Sequence, residues 1–507
     1  MSGTSGLYPA HTLEGIEQKG PRALVLGAGI SGLVTAYELE QRGYRVEVIE
    51  GNSRIGGRIH THRFGSTPGA PSVELGAMRI PTHHLHTLEY IERLGLTGTL
   101  RPFTTLLSDE NAFLQSADGA FVRVRDASRP LRESLCRDLD RHCPGVRHND
   151  ATMSFAAWLT AIVDAIAPPD LREALRADLR RQLLGMVARL DLTPHLRGEG
   201  LDRIDLHALF AAHPGIRAGC SGRLNGFLDD ILTETSPALL RLEGGMDQLP
   251  RRLAARLRAP VSCGRRVTGI EVRHNEVLVR VRGGARSTVR RAEVVVCTLP
   301  FPALRRLRRL TGLDADKREV LREVVYCPAT KVALHCREPF WRREGIQGGA
   351  SCTGGLIRQT YYPPVDSAPG RGAALLASYT IGEEAELLGR LSPRRRNRLV
   401  ISQLARIHPR LAEPGMVLDT AGTAWGQSPF QAGCTTRWGK SADECEEERR
   451  RAARPVGRLF FAGEHCSTTP AWIEGAIESA LNAVAEVVRY QPGGRRTGRP
   501  GAAEVLR

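Results

Sequence analysis

The sequence predicts an α/β (α+β) protein with three parts: a parallel-sheet nucleotide-binding unit, a mixed-sheet unit and a helical insertion. Three observations carry this. The run Arg22 to Gly27 is short, apolar and ends in glycine; a helical pattern follows from Ser31 to Arg42, then a strand pattern from Tyr44 to Glu50, the order of a βαβ unit. Residues 128–236 are rich in Leu, Ala and Arg at helical spacing, broken at Pro144, Pro168, Pro194 and Pro214. Alternating segments such as Glu276 to Val281 fall between Val261 and Leu299, and strand-like runs recur from Cys327 to Ile381.

Gly43 stops the first helix. The chain closes with a strand at Arg458 to Ala462 and a helix from about Trp472 to Val488. The Pro-, Gly- and Arg-rich stretch 491–507 is expected to be a disordered tail.

Composition bounds the rest. With 507 residues, 41% hydrophobic and 25% charged, the chain can build two or three packed units. No apolar stretch approaches the roughly 20 residues of a membrane span. Met1 to Gly20 lacks a basic region followed by an apolar run, so a cytoplasmic protein is expected. The eleven cysteines include no CxxC pair, which points to reduced thiols, and no Cys/His spacing points to a metal. The net charge of +16 is carried by arginine, and the only lysines are Lys19, Lys317, Lys331 and Lys440. The arginine runs lie apart without interleaved aromatics, so no nucleic-acid partner is expected.

Gly27, Gly29 and Gly32 follow the first strand and open the helix. Glycines there permit a tight turn and close backbone approach to a pyrophosphate. Ile30 and Ser31 then lie at a helix N-terminus that offers free N–H groups. Glu50 ends the second strand, where a carboxylate accepts from a ribose diol and repels a 2′-phosphate. A Rossmann-like dinucleotide site follows.

The segment Gly51 to Arg58 resembles the signature of the flavin amine oxidases. The likeness continues through Val73 to Pro81, Leu242 to Pro250, Val267, Phe460 to His465 and Trp472 to Ala480. It implies FAD, contacted by Gly51, Arg58, Gly76, Ala77, Met78, Arg79, Val267, Glu464, Ala471, Trp472 and Ile473. Arg58 would neutralise the second phosphate and Glu464 would hold the ribityl chain. The helix near Trp472 would aim its N-terminus at the flavin pyrimidine edge, where a helix dipole stabilises an anion, with Thr468 and Thr469 as capping candidates. The implied FAD-binding domain is discontinuous: 20–103 with 237–302 and 455–490. A substrate-binding domain takes 104–127 with 303–454, and a helical domain 128–236.

Within the family, Arg79 resembles the arginine that clamps a substrate carboxylate, a task suited to its planar fork. Tyr379 resembles the tyrosine that shares that carboxylate. Ala471 and Trp472 resemble the wall over the substrate. Lys331, inside an apolar strand pattern, resembles the lysine that reaches flavin N5 through a water. Leu228 or a neighbour falls where some relatives place a histidine base. Cys434 falls where the monoamine oxidases form a flavin thioether, but its surroundings depart from their pattern. Non-covalent FAD is expected, and the covalent link stays open.

The motifs look closest to bacterial L-amino-acid oxidases of the L-tryptophan oxidase type. The resemblance implies hydride transfer from Cα to flavin N5, giving an imino and then a keto acid, ammonia and hydrogen peroxide. The partners would be a small amino acid or amine and O2, with no membrane and with a homodimer left open. An amine oxidase for carboxylate-free amines, an amino-acid monooxygenase and a basic nucleic-acid-associated flavin-fold module remain as alternatives, as does a flavin desaturase acting on a membrane-bound substrate.

Overall fold

In chain order, the elements that position the site are β1 (Arg22–Leu26), α1 (Ile30–Gln41), β2 (Arg45–Ile49), β3 (Phe113–Gln115), β4 (Phe121–Arg123), α2 (Asp150–Ile166), α3 (Gly222–Thr235), β5 (Val294–Cys297), β6 (Ala329–Cys336), β7 (Ala350–Gly354), β8 (Arg358–Tyr361), β9 (Ala373–Ile381), β10 (Val417–Ala424), β11 (Leu459–Phe461) and α4 (Ile473–Arg489). They come from a computed structural model that describes residues 20–132, 135, 149–168, 170–187, 189–437 and 442–490. The expected tail at 491–507 and the break at Pro144 lie outside the described residues.

One sheet has the order β2-β1-β5-β11, parallel throughout. From Ala23 in β1, and throughout β5 and β11, the strands read as unbroken apolar runs because both faces are covered, while the edge strand β2 alternates with Arg45 and Glu47; Val25, Leu26, Val295 and Val296 are fully buried. Helices α1 and α4 pack together against it. Ile473, Ile477, Ala480, Val484 and Val487 form the buried stripe of α4, the spacing that puts apolar side chains on one helical face. Truncating fully buried Ile477 to Ala would cost about 2–5 kcal/mol. On another face of α4, the Glu474 carboxylate accepts from the His86 N–H at 3.0 Å and the Thr87 N–H at 2.8 Å. It thereby caps the neighbouring helix Leu85–Arg93.

The mixed sheet has the order β10-β6-β9-β8-β7-β3-β4. Its pairs are antiparallel except β7 with β3. Register sets Lys331 of β6 opposite Tyr379 of β9, so their side chains share one face. Helix α2 is buried from Ala151 to Ala165 and capped by Asn149, whose side chain accepts from the Thr152 N–H at 2.8 Å. It shares one apolar core with Ala333, Ala350, Cys352 and Leu376 of the sheet.

Two local expectations are corrected. Thr468 and Thr469 do not cap α4; Trp472 is its N-cap residue, with no side-chain cap. Ala471, at φ 70°, turns the chain between the threonines and the helix. The stretch 128–236 is also less uniformly helical than its spacing predicts. Pro194 lies within one 3-10 turn, Thr193–His195, and Pro214 starts another, and Leu196–Arg197 pairs with Arg203–Ile204 as a short hairpin.

Candidate active site

A groove opens at the C-terminal ends of the parallel strands, between β1, β2 and β5. Its first wall is the glycine turn. Gly27 has φ 105°, and a Cβ there would lie 2.5 Å from Thr298 Oγ1; one on Gly32 would lie 2.0 Å from Gly27 O. The turn therefore seats flat against β5 only with glycine. It leaves the N-terminus of α1 facing the groove, beside the Ser31 hydroxyl, which is buried without a hydrogen-bond partner among the described residues. Gly29, Ile30, Glu50, Gly51 and Val267 line the same end. Glu50 accepts from the Ala28 N–H at 2.8 Å and the Asn52 N–H at 2.7 Å. Burial raises its pKa against those bonds. An orphaned hydroxyl, free helix amides and a floor without side chains fit a dinucleotide pyrophosphate.

Farther along, Arg58 Nη1 donates to Glu464 Oε1 at 2.8 Å and to Cys434 O at 3.0 Å. Glu464 Oε2 accepts from Thr436 Oγ1 at 3.0 Å and from the Ala471 N–H at 3.3 Å. Burial opposes its ionisation, but the charges and hydrogen bonds around it, Arg58 foremost with Thr436 beside it, together hold the carboxyl below the usual range. Sequence reasoning singled out both residues but not their pairing. Cys434 lines the groove, and its thiol donates to Cys327 O at 3.3 Å. A hydrogen bond with the neighbouring Cys327 thiol, then burial, pushes the Cys434 thiol well above its ordinary pKa. His465, next to Glu464, is pushed down to about 4 by burial and is neutral.

The groove ends among Ala77, Ala471, Trp472 and Ile473. Gly76 and Met78 do not line it. They hold Lys331, whose Nζ donates to Gly76 O at 2.8 Å and Glu74 O at 3.3 Å and lies 3.6 Å from Met78 Sδ. The amine also sits 4.6 Å from the Tyr379 ring centre. Burial, with a further push from Arg79, lowers its pKa to about 7, against the pull of Glu74.

Arg79 lies with its guanidinium carbon 5.7 Å from the Trp472 ring centre. Its fork is filled by Glu234, from the last turn of α3: Nη1 meets Oε2 at 2.5 Å and Nη2 meets Oε1. The Tyr361 hydroxyl donates to Glu234 Oε2 at 3.2 Å. Burial works against both charges; the pair overcomes it, raising the Arg79 pKa and lowering that of Glu234. Arg79 and Trp472, and Lys331 and Tyr379, are thus joined in one cluster through Glu234 and Tyr361, whose ring centre lies 6.5 Å from that of Tyr379; this cluster is the candidate substrate chamber. Glu234 and Tyr361 were not singled out from the sequence, because an acidic residue at a helix end reads as solvated. Leu228 is fully buried core. Among the described residues no acidic, His or Cys cluster has the form of a metal site.

A family model described as flavin containing amine oxidoreductase matches residues 30–488. The flavin-dependent L-tryptophan oxidase RebO of Lentzea aerocolonigenes is 55% identical over 466 residues, covering 91% of this chain and 96% of that protein. The L-amino-acid oxidase of Mus musculus is 30% identical over 483 residues, covering 92% of this chain and 71% of that protein. Among solved structures, cyclohexylamine oxidase from Brevibacterium oxydans IH-35A superposes with a TM-score of 0.61 at 21% identity, over 92% of this chain and 98% of that one. At that identity the likeness concerns the fold alone.

Proposed function

Because the chain belongs to the flavin containing amine oxidoreductase family, we propose that it is an FAD-dependent oxidase of L-amino acids with aromatic, tryptophan-like side chains. Bound FAD supplies a two-electron acceptor at N5 that O2 can reoxidise to release hydrogen peroxide. The chain's own residues select and orient the substrate. Arg79 takes the carboxylate with its fork, and Tyr379 takes part in holding it. Trp472 walls the side chain. Lys331, near neutrality, moves a proton at the end of the chamber. Loss of Cα hydride from the neutral amine gives an imino acid, which water converts to a keto acid and ammonia. Holding these groups in place is the main contribution of the protein.

One observation carries this reading: the Arg79 fork already binds a carboxylate, that of Glu234, in bidentate geometry beside Trp472. A peroxide-release screen over L-amino acids, their D forms and the decarboxylated amines tests it. Preference for tryptamine over L-tryptophan would overturn it. The same observation favours a second reading, in which Glu234 stays on Arg79 and receives the ammonium of a carboxylate-free amine.

The three-domain division fits this assignment as a proposal, with the chamber between the mixed sheet, α3 and the groove. Among the described residues no helix is long and apolar enough to cross a membrane, and nine cysteines form no disulfide. Both support a cytoplasmic setting, also as a proposal.

A further inference from the structure

The fork assigned above to the substrate carboxylate is occupied by a protein carboxylate. Arg79 and Glu234 have side-chain exposures of only 11% and 23%. A second carboxylate entering such a site meets the first as a like charge. A carboxylate expelled from its partner in a buried place is also costly unless another cation receives it. The substrate can therefore take the Arg79 fork only if Glu234 has somewhere to go.

Arg358 provides that place. It opens β8 at φ 52° and lies opposite Tyr379 of β9, with register irregularities on both sides of Gln359. Such bulges re-aim side chains that strict alternation would send elsewhere. Three residues on, the same strand carries Tyr361, whose hydroxyl already bonds Glu234. The Nη1 of Arg358 is buried with no hydrogen-bond partner among the described residues, an unusual state for a charged donor. The charge of Arg358 also acts on Glu234, adding to the pull of Arg79. Arg79 and Arg358 both act on the single carboxylate of Glu234, so the two guanidinium groups are matched one to one when a ligand brings a second carboxylate.

We propose that Glu234 is a specificity-determining carboxylate that occupies Arg79 in the free enzyme, yields that fork to the substrate carboxylate and moves to Arg358. A ligand without a carboxylate has no means of displacing it. The inference rests on Arg79 being the substrate clamp. Apparent affinity for a carboxylate ligand is then reduced by the fraction of enzyme whose fork is free.

The test is calorimetric titration of the flavin-loaded enzyme with indole-3-propionate, which has the carboxylate but no amine to oxidise, and with tryptamine, which has the reverse. Glu234→Gln, which keeps the shape and removes the competing charge, should tighten indole-3-propionate about tenfold. Arg358→Met should weaken it about tenfold in the parent, where displaced Glu234 loses its partner. In the Glu234→Gln background the same change should cost less than about threefold, the non-additivity expected of coupled groups. Tryptamine binding should not tighten in Glu234→Gln. Flavin content and melting temperature report whether each variant is folded. If Glu234→Gln leaves indole-3-propionate unchanged and weakens tryptamine, Glu234 is an ammonium acceptor and the displacement is wrong. If the Arg358→Met cost is the same in both backgrounds, Arg358 does not receive Glu234. Arg79→Lys separates the two levels: failure to weaken indole-3-propionate overturns the clamp and the displacement together, whereas a weakened Arg79→Lys with an unchanged Glu234→Gln overturns only the displacement.

Discussion

Arg58 and Glu464, 406 residues apart in sequence, meet in the groove with Nη1 2.8 Å from Oε1. Their side chains are 25% and 5% exposed. The pair joins the segment after β2 to the segment after β11. Each charge alone would be buried without compensation, so single removal should hurt more than joint removal. Arg58→Met is expected to lower stability by about 3–5 kcal/mol, and Arg58→Met with Glu464→Gln by clearly less. Thermal unfolding with flavin fluorescence as the release signal measures both. Additive losses would show that the two residues act independently.

Arg79 should discriminate by carboxylate. Arg79→Lys keeps the charge but loses the bidentate fork, so it should already impair oxidation of L-tryptophan. Arg79→Ala should lose about 2–5 kcal/mol in kcat/KM. The loss should largely vanish for tryptamine. Equal damage to both substrates would assign Arg79 to flavin binding or folding.

Lys331 titrates near neutrality, at about 7, because it is buried. It is protonated below that value and neutral above it. A flavin half-reaction that uses this amine should show an inflection near pH 7 that Lys331→Met lacks while retaining flavin. The unfolded chain binds the lysine proton up to its ordinary value near 10.4, so the parent should gain stability relative to Lys331→Met as pH rises from about 7 towards 10. Identical stopped-flow pH profiles would make Lys331 structural.

Cys434 should not hold flavin covalently. Its proton is committed to Cys327 O at 3.3 Å, and a thiol pushed above its ordinary pKa is a poor nucleophile. Acid precipitation should release all the yellow chromophore, and Cys434→Ala should stay loaded. Flavin remaining in the washed pellet would contradict this.

What was legible from the sequence was local. The glycine turn, Glu50 and the strand that follows each depend on a few adjacent residues whose chemistry is written in their spacing. Arg79, Tyr379, Trp472 and Lys331 could be singled out because each lies in a short motif. The chamber's other half could not. Glu234, Arg358 and Tyr361 come from a helix end and an irregular strand, and only the fold brings them together. The capping expectation at Thr468 and Thr469 failed for the same reason: residue type favoured a cap, but the turn at Ala471 moved the helix start beyond their reach.

Strands β1 and β11 share a sheet, separated only by β5. On the ribosome the glycine turn emerges early, yet its opposite wall waits for β11 and α4. A growing chain therefore presents β5 with an open edge through the synthesis of β6 to β10, and such an edge invites pairing with other chains. Because Trp472, Ile473 and Ala476 line the groove, flavin capture is expected to follow translation of α4, and a chain truncated before that helix should not retain added cofactor.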